Sequence, residues 1–109
     1  MDRQLSDRLQ AIAKQIEVLR GAEEAFLNLD ASKKTLLAQL FLGAEGSSVM
    51  EREMKAHAHP TWVQFMKGLA ESETVYNREK RRLELMFKAY DAAHLSFKIE
   101  NQSITKGVE

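Results

Sequence analysis

The chain has 109 residues, the length of one small domain, and its 44% hydrophobic content is too apolar for a disordered segment. Its 16 Lys and Arg offset 16 Asp and Glu, which excludes a histone-like basic protein but allows a local basic patch. With no cysteine there are no disulfides, zinc–thiolate sites, iron–sulfur clusters or thiol catalysis.

The first segment carries Leu5, Leu9, Ile12, Ile16 and Leu19 in alternating steps of four and three, the spacing of a helix that packs lengthwise on another. Asp2 and Asp7 near its start suit the helix dipole. Glu23 takes the next stripe position and Phe26 resumes the pattern. Gly21 costs the helix about 1 kcal/mol and need not end it. Asp30 or Ser32 either caps a new turn or is passed by an unbroken helix. Leu36, Leu37, Leu40 and Phe41 then gather on one side, and Gly43 is expected to cap the C-terminus. The loop at 43–47 is short enough to set its flanking helices antiparallel. Ser48 and Glu51 match the capping box S-x-x-E, so a helix should begin near Val49. Pro60 either breaks this arm, with a new start at Pro60 or Thr61 and His59 near its cap, or kinks it.

From Thr61 onward, Trp62, Leu69, Tyr76, Leu83, Tyr90, Phe97 and Ile104 recur at a period of seven. Met66, Glu73, Lys80, Phe87, His94 and Asn101 form the expected second row of this seam, and four of the six are polar or charged. A helix of roughly 40 residues spans about 60 Å, more than the first helix alone can cover. Either the first two helical pieces run along it in sequence, or a second copy covers the remainder. No strand signal appears. The expected fold is all-α: an elongated helical hairpin with one long C-terminal helix, coiled-coil-like packing and homo-oligomeric association. One domain is expected, with an arm at 1–42, a loop at 43–47, a second arm at 48–102 and a fraying polar tail at 103–109.

Candidate chemistry is sparse. His57 and His59 form an H-x-H pair, but side chains two apart on a helix diverge by about 200° and chelate poorly. Asp91 and His94 are spaced like half of a carboxylate–histidine metal motif whose matching E-x-x-H is absent, so His94 is assigned to the seam and no metal or cofactor is expected. No G-x-S-x-G, phosphate-cradling loop or G-x-G-x-x-G occurs, and no enzyme is expected. No apolar run reaches the length of a membrane span and no signal-peptide pattern opens the chain, so a soluble intracellular protein without a membrane partner is expected.

The clearest charge feature is Arg78, Lys80, Arg81, Arg82 and Lys88: Tyr76 to Lys88 holds five basic and two acidic residues. Such a row can contact phosphates, while Glu79 dilutes it and Glu84 is placed to pair with Lys88. Arg52 and Lys55 extend the basic surface if the arms fold back, and Lys33 and Lys34 could add to it. Trp62, Phe65 and Met66 form a dense apolar cluster that is either a packing anchor or, if exposed, a docking patch. With Leu69, Tyr76, Leu83, Phe87, Tyr90 and Phe97 it defines the candidate protein interface along the seam.

The run Glu51-Arg52-Glu53-Met54-Lys55, then Leu69-Ala70-Glu71, then Tyr76-Asn77-Arg78-Glu79-Lys80-Arg81-Arg82-Leu83-Glu84 resembles the UvsY-like recombination mediators and related accessory proteins of bacteriophages, over about 60 residues. The resemblance implies an oligomeric helical assembly in the bacterial host cytoplasm that binds single-stranded DNA. It would help a recombinase or annealing protein displace single-strand binding protein. Carried over by position, Arg52, Lys55, Arg78, Lys80, Arg81, Arg82 and Lys88 are the candidate DNA contacts, multiplied by assembly. The alternative is a coiled-coil adaptor, or a small phage protein that binds and inhibits a host factor.

Overall fold

The computed structural model describes residues 3–108, with side chains described for 3–100. The fold is all-α: helices α1 (Arg3–Gly43), α2 (Val49–Ala58) and α3 (Pro60–Val108), with no strand among the described residues. α1 runs unbroken through Gly21 and through the potential caps at Asp30 and Ser32. The Ser32 hydroxyl donates to the Asn28 carbonyl at 2.9 Å, so the group that could have capped a new helix is absorbed by the preceding turn. α3 continues through 103–108, where the polar tail begins; the Asp2 charge and the side chains of Asn101 and Ile104 lie outside the described residues.

The ends of α2 follow from local chemistry. Gly43 closes α1 without a left-handed turn, contrary to the expected glycine cap; the Ala44 N–H instead bonds back to the Phe41 carbonyl at 3.2 Å. Ser48 has an extended backbone and its hydroxyl accepts the Glu51 N–H at 3.1 Å. Glu51 reaches back to the Ser47 N–H at 3.2 Å, one residue earlier than in a standard capping box. Ser48→Ala is expected to cost about 1 kcal/mol, read as a lower urea midpoint with an unchanged slope.

Pro60 breaks the arm. The ring of a proline disfavours helical backbone in the residue before it, and His59 is extended, with ψ 134°. Proline then serves as the first residue of α3, where its missing N–H costs nothing. The His59 Nδ1 accepts the Thr61 N–H at 3.1 Å, so the histidine caps the new helix.

The chain divides into two compact units, Met1–Arg20 with Asn77–Glu109 and Gly21–Tyr76. In the first unit α1 and α3 lie antiparallel: Leu5 shares a depression with Ala93 and Phe97, while Gln15 meets Glu79. In the second unit the two helices are again antiparallel. Phe26 stacks on Tyr76 at 5.8 Å between ring centroids, and Leu36 lines a depression with Pro60 and Phe65. α2 closes this unit through Ala56, which is buried.

The seam differs from the expected one in its second row. Trp62 and Leu69 are buried, and Tyr76, Leu83, Tyr90 and Phe97 are half-buried, so the first row stands on the seam. Three positions on from the first five of these, not four, lie the partners: Phe65, Ser72, Glu79, Met86 and Ala93 are all buried or half-buried, whereas Glu100, three on from Phe97, is exposed. Glu73, Lys80 and Phe87 are exposed, while Met66 and His94 are half-buried at the margin. α1 shows the same shift. Gln15 is buried and Ala22 half-buried where Ile16 and Glu23 were expected, and Leu9 and Ile16 face out. A seam of period 3.5 can step by three or by four, and neighbouring apolar pairs such as Phe65–Met66 and Met86–Phe87 fit both. The three-step choice brings in one charge, Glu79, and gives it a partner; the four-step choice would have brought in both Glu73 and Lys80.

Candidate nucleic-acid interface

Glu79 is the centre of the charged region of α3. It is 4% exposed and Gln15, facing it from α1, is 7% exposed. Gln15 Nε2 donates to the Glu79 carboxylate at 2.6 Å and to its main-chain carbonyl at 3.1 Å. The hydrogen bond from Gln15 holds the Glu79 carboxyl below its ordinary 4.5 against the opposing effect of burial, and the charges of Arg82 and Arg78 add to the lowering. Arg78 Nε and an Arg82 guanidinium nitrogen each approach the carboxylate at 3.3 Å, with their own side chains mostly in solvent. A buried carboxylate thus recruits two of the expected DNA-contacting arginines to its rim, where they remain accessible.

The other candidate cations divide by unit. Lys80, Arg81 and Lys88 are exposed on α3 and have no hydrogen bond or ion pair among the described residues. Arg81 and Lys88 are seven apart, on the side of the helix away from the seam. Arg52 and Lys55 belong to the second unit and are engaged in its loop: Arg52 Nε donates to the Gly46 carbonyl at 3.1 Å, and Lys55 Nζ to the Glu45 carbonyl while pairing with Glu51 at 3.5 Å. They are loop clasps first.

A signal invisible in the net charge emerges from this division. The first unit carries 11 Lys and Arg against 8 Asp and Glu, and the second carries 5 against 8. A chain with formal charge zero is therefore a basic unit joined to an acidic one. The basic unit is assembled from both ends of the chain, so a scan along the sequence averages it away.

The histidines are occupied structurally. His57 Nδ1 donates to the Glu53 carbonyl at 2.8 Å, and His59 is the cap described above. His94 stacks on Tyr90 at 5.8 Å, and its Nδ1 is buried without a partner among the described residues. No three His, Asp or Glu side chains converge as a metal site among the described residues, and no described helix is long and apolar enough to cross a membrane. Of the apolar candidates, Trp62 and Leu69 are buried inside the second unit, Phe65, Met66, Tyr76, Leu83, Tyr90 and Phe97 are half-buried, and Phe87 is exposed. Sequence reasoning missed Gln15. Its signal was an amide three places after Ile12, in the row that faces Glu79.

No protein-family model matches this chain, and no curated protein or solved structure is significantly similar to it.

Proposed function

We propose that the protein is a non-enzymatic binder of single-stranded DNA whose basic unit supplies the contact surface, in the role of a phage recombination accessory factor acting as a homo-oligomer beside a recombinase or annealing protein. The observation that carries this reading is the separation of charge between the two units. Phosphate binding needs a local excess of cations, and a net charge of zero does not oppose it when the acids are gathered elsewhere. Lys80 and Arg81 are the free cations nearest the Arg78–Glu79–Arg82 cluster, and the exposed guanidinium groups of that cluster extend the surface. The resemblance to UvsY-like mediators supplies the setting, and repetition of a modest patch through an assembly supplies the affinity that one copy lacks.

The test is fluorescence anisotropy with a labelled oligonucleotide across a salt series. Lys80→Glu with Arg81→Glu is expected to weaken binding at every salt concentration. It should also flatten the log–log salt dependence by about 1.4, at ~0.7 per lost phosphate contact on a single strand. Lys14→Glu, on the outward side of α1, should change it much less. Absence of binding at low salt ends this reading. A second reading, a protein-binding adaptor or an inhibitor of a host factor, is favoured by the exposure of Leu42, Met50 and Met54. It predicts salt-tolerant capture of a protein and indifference to DNA.

A further inference from the structure

The outward face of α1 is polar where it crosses the first unit: Asp7, Gln10, Lys14 and Glu17 stand away from the seam, as a solvated helix face should. The outward face of α3 in the same unit is different. Arg78, Arg81, Leu85, Lys88, Leu95 and Ile99 follow one another with Ala92 in alternating steps of three and four, which is a second helix-packing stripe on the side opposite the first. Leu95 and Ile99 are 58% and 54% exposed. The stripe is basic at one end, apolar at the other, and contains no acidic residue.

The second unit presents a complementary surface. Between the end of α1 and α2 lies an open cleft of about 560 Å3 walled by Leu37, Phe41, Leu42, Glu53 and His57, with Lys34 on the α1 side. Glu53 and His57 also line the adjoining depression, together with Met50 and Met54. Leu42, Met50 and Met54 are among the most exposed large apolar side chains described, and methionine is suited to receive a helix face because it repacks at low cost. The carboxylate of Glu53 has no partner among the described residues, and the unit as a whole is acidic.

We propose that copies of this chain associate head to tail, the outward stripe of α3 of one copy seating its Leu95 and Ile99 on the Met50–Met54 cleft of the next, with Lys88 set toward Glu53. The unpartnered carboxylate of Glu53 selects this occupant. A symmetric pairing of the stripe with itself offers its cations no counter-charge, and a symmetric pairing of two clefts, each holding Lys34 beside Glu53, leaves Leu95, Ile99 and Lys88 uncovered. Because the two surfaces differ, each copy retains one free stripe and one free cleft after the first contact, and association continues into a ring or an open series. The proposal rests on the homo-oligomeric part of the proposed function and involves no nucleic acid.

Sedimentation equilibrium without DNA separates the two. The wild type is expected to exceed the mass of a dimer, and Leu95→Glu and Met54→Lys are each expected to reduce it to the 12.4 kDa monomer. Both side chains are exposed, so circular dichroism should show unchanged helicity in each variant. Mixing the two variants should restore association, since the intact cleft of one accepts the intact stripe of the other. A monomeric wild type, an unchanged mass in either variant, or a mixture that stays monomeric overturns the proposal. Loss of DNA binding with the assembly intact would count against the proposed function alone.

Discussion

Gln15→Leu is expected to destabilise the first unit more than any exposed substitution in the chain, and Gln15→Leu combined with Glu79→Leu is expected to be at least as stable as the wild type. The reason lies in what each change leaves behind. The wild-type pair brings a carboxylate into the seam and offsets its lost hydration with the amide of Gln15 and with Arg78 and Arg82 at the rim. Taking away the amide alone leaves the charge buried with fewer donors, which is the costly case. Taking away both restores a continuous apolar seam. The pair should also report on pH. The folded Glu79 carboxyl titrates below its ordinary 4.5, so the unfolded state binds its proton more readily than the folded state does. Its stabilisation is therefore complete above the ordinary value and disappears as the pH falls through the lower, folded one. Glu51, lowered chiefly by the Ser47 N–H and further by Lys55, adds in the same direction. Thermal melts across the acidic range should show the wild type losing stability more steeply than the double variant, which retains only the Glu51 contribution of these two. Parallel profiles would show that the pair contributes nothing net. The double variant should lose definition of the helix register, since a buried polar pair is satisfied in one alignment only.

The first row of the seam was legible because seven-residue spacing survives any detail of packing: Trp62, Leu69, Tyr76, Leu83, Tyr90 and Phe97 needed only a helix and a neighbour. The second row was not, because its choice depends on the partner helix. Nothing near Glu79 in the sequence says that it is buried; that follows from Gln15, 64 positions away. The break at Pro60 illustrates an intermediate case. Proline marked the place, but break and kink differ in whether His59 can leave helical geometry and offer its ring to Thr61, which is a matter of local side-chain reach. The charge division was hidden for a topological reason: residues of the basic unit come from both ends of the chain. The loop clasps of Arg52 and Lys55 were hidden because their acceptors are main-chain carbonyls, which carry no sequence label.

Trp62→Ala is expected to cost about 3–5 kcal/mol, a large share of the roughly 5–15 kcal/mol that holds a domain of this size folded. Trp62 is 9% exposed, stacks on Phe65 at 6.0 Å and meets the edge of His57 at 5.7 Å. Its place explains the magnitude. The chain breaks its helix at His59–Pro60, and the angle between α2 and α3 is then set by what bridges the break. Trp62, two residues beyond the proline, packs back on His57, the residue next to Ala56, by which α2 is anchored. Truncation removes that bridge as well as the apolar surface, so α2 should loosen along with the start of α3. Because Trp62 is the sole tryptophan, its own emission follows the wild-type transition directly, with a red shift on unfolding. Trp62→Phe keeps an aromatic face for Phe65 and should recover part of the loss, whereas a residue whose role was to dock a partner would leave the melting curve of the alanine variant unchanged. Leu95 and Met54 are the contrasting case: they should leave stability intact and abolish association, and the opposite responses at these positions distinguish the interior of the fold from its interacting surface.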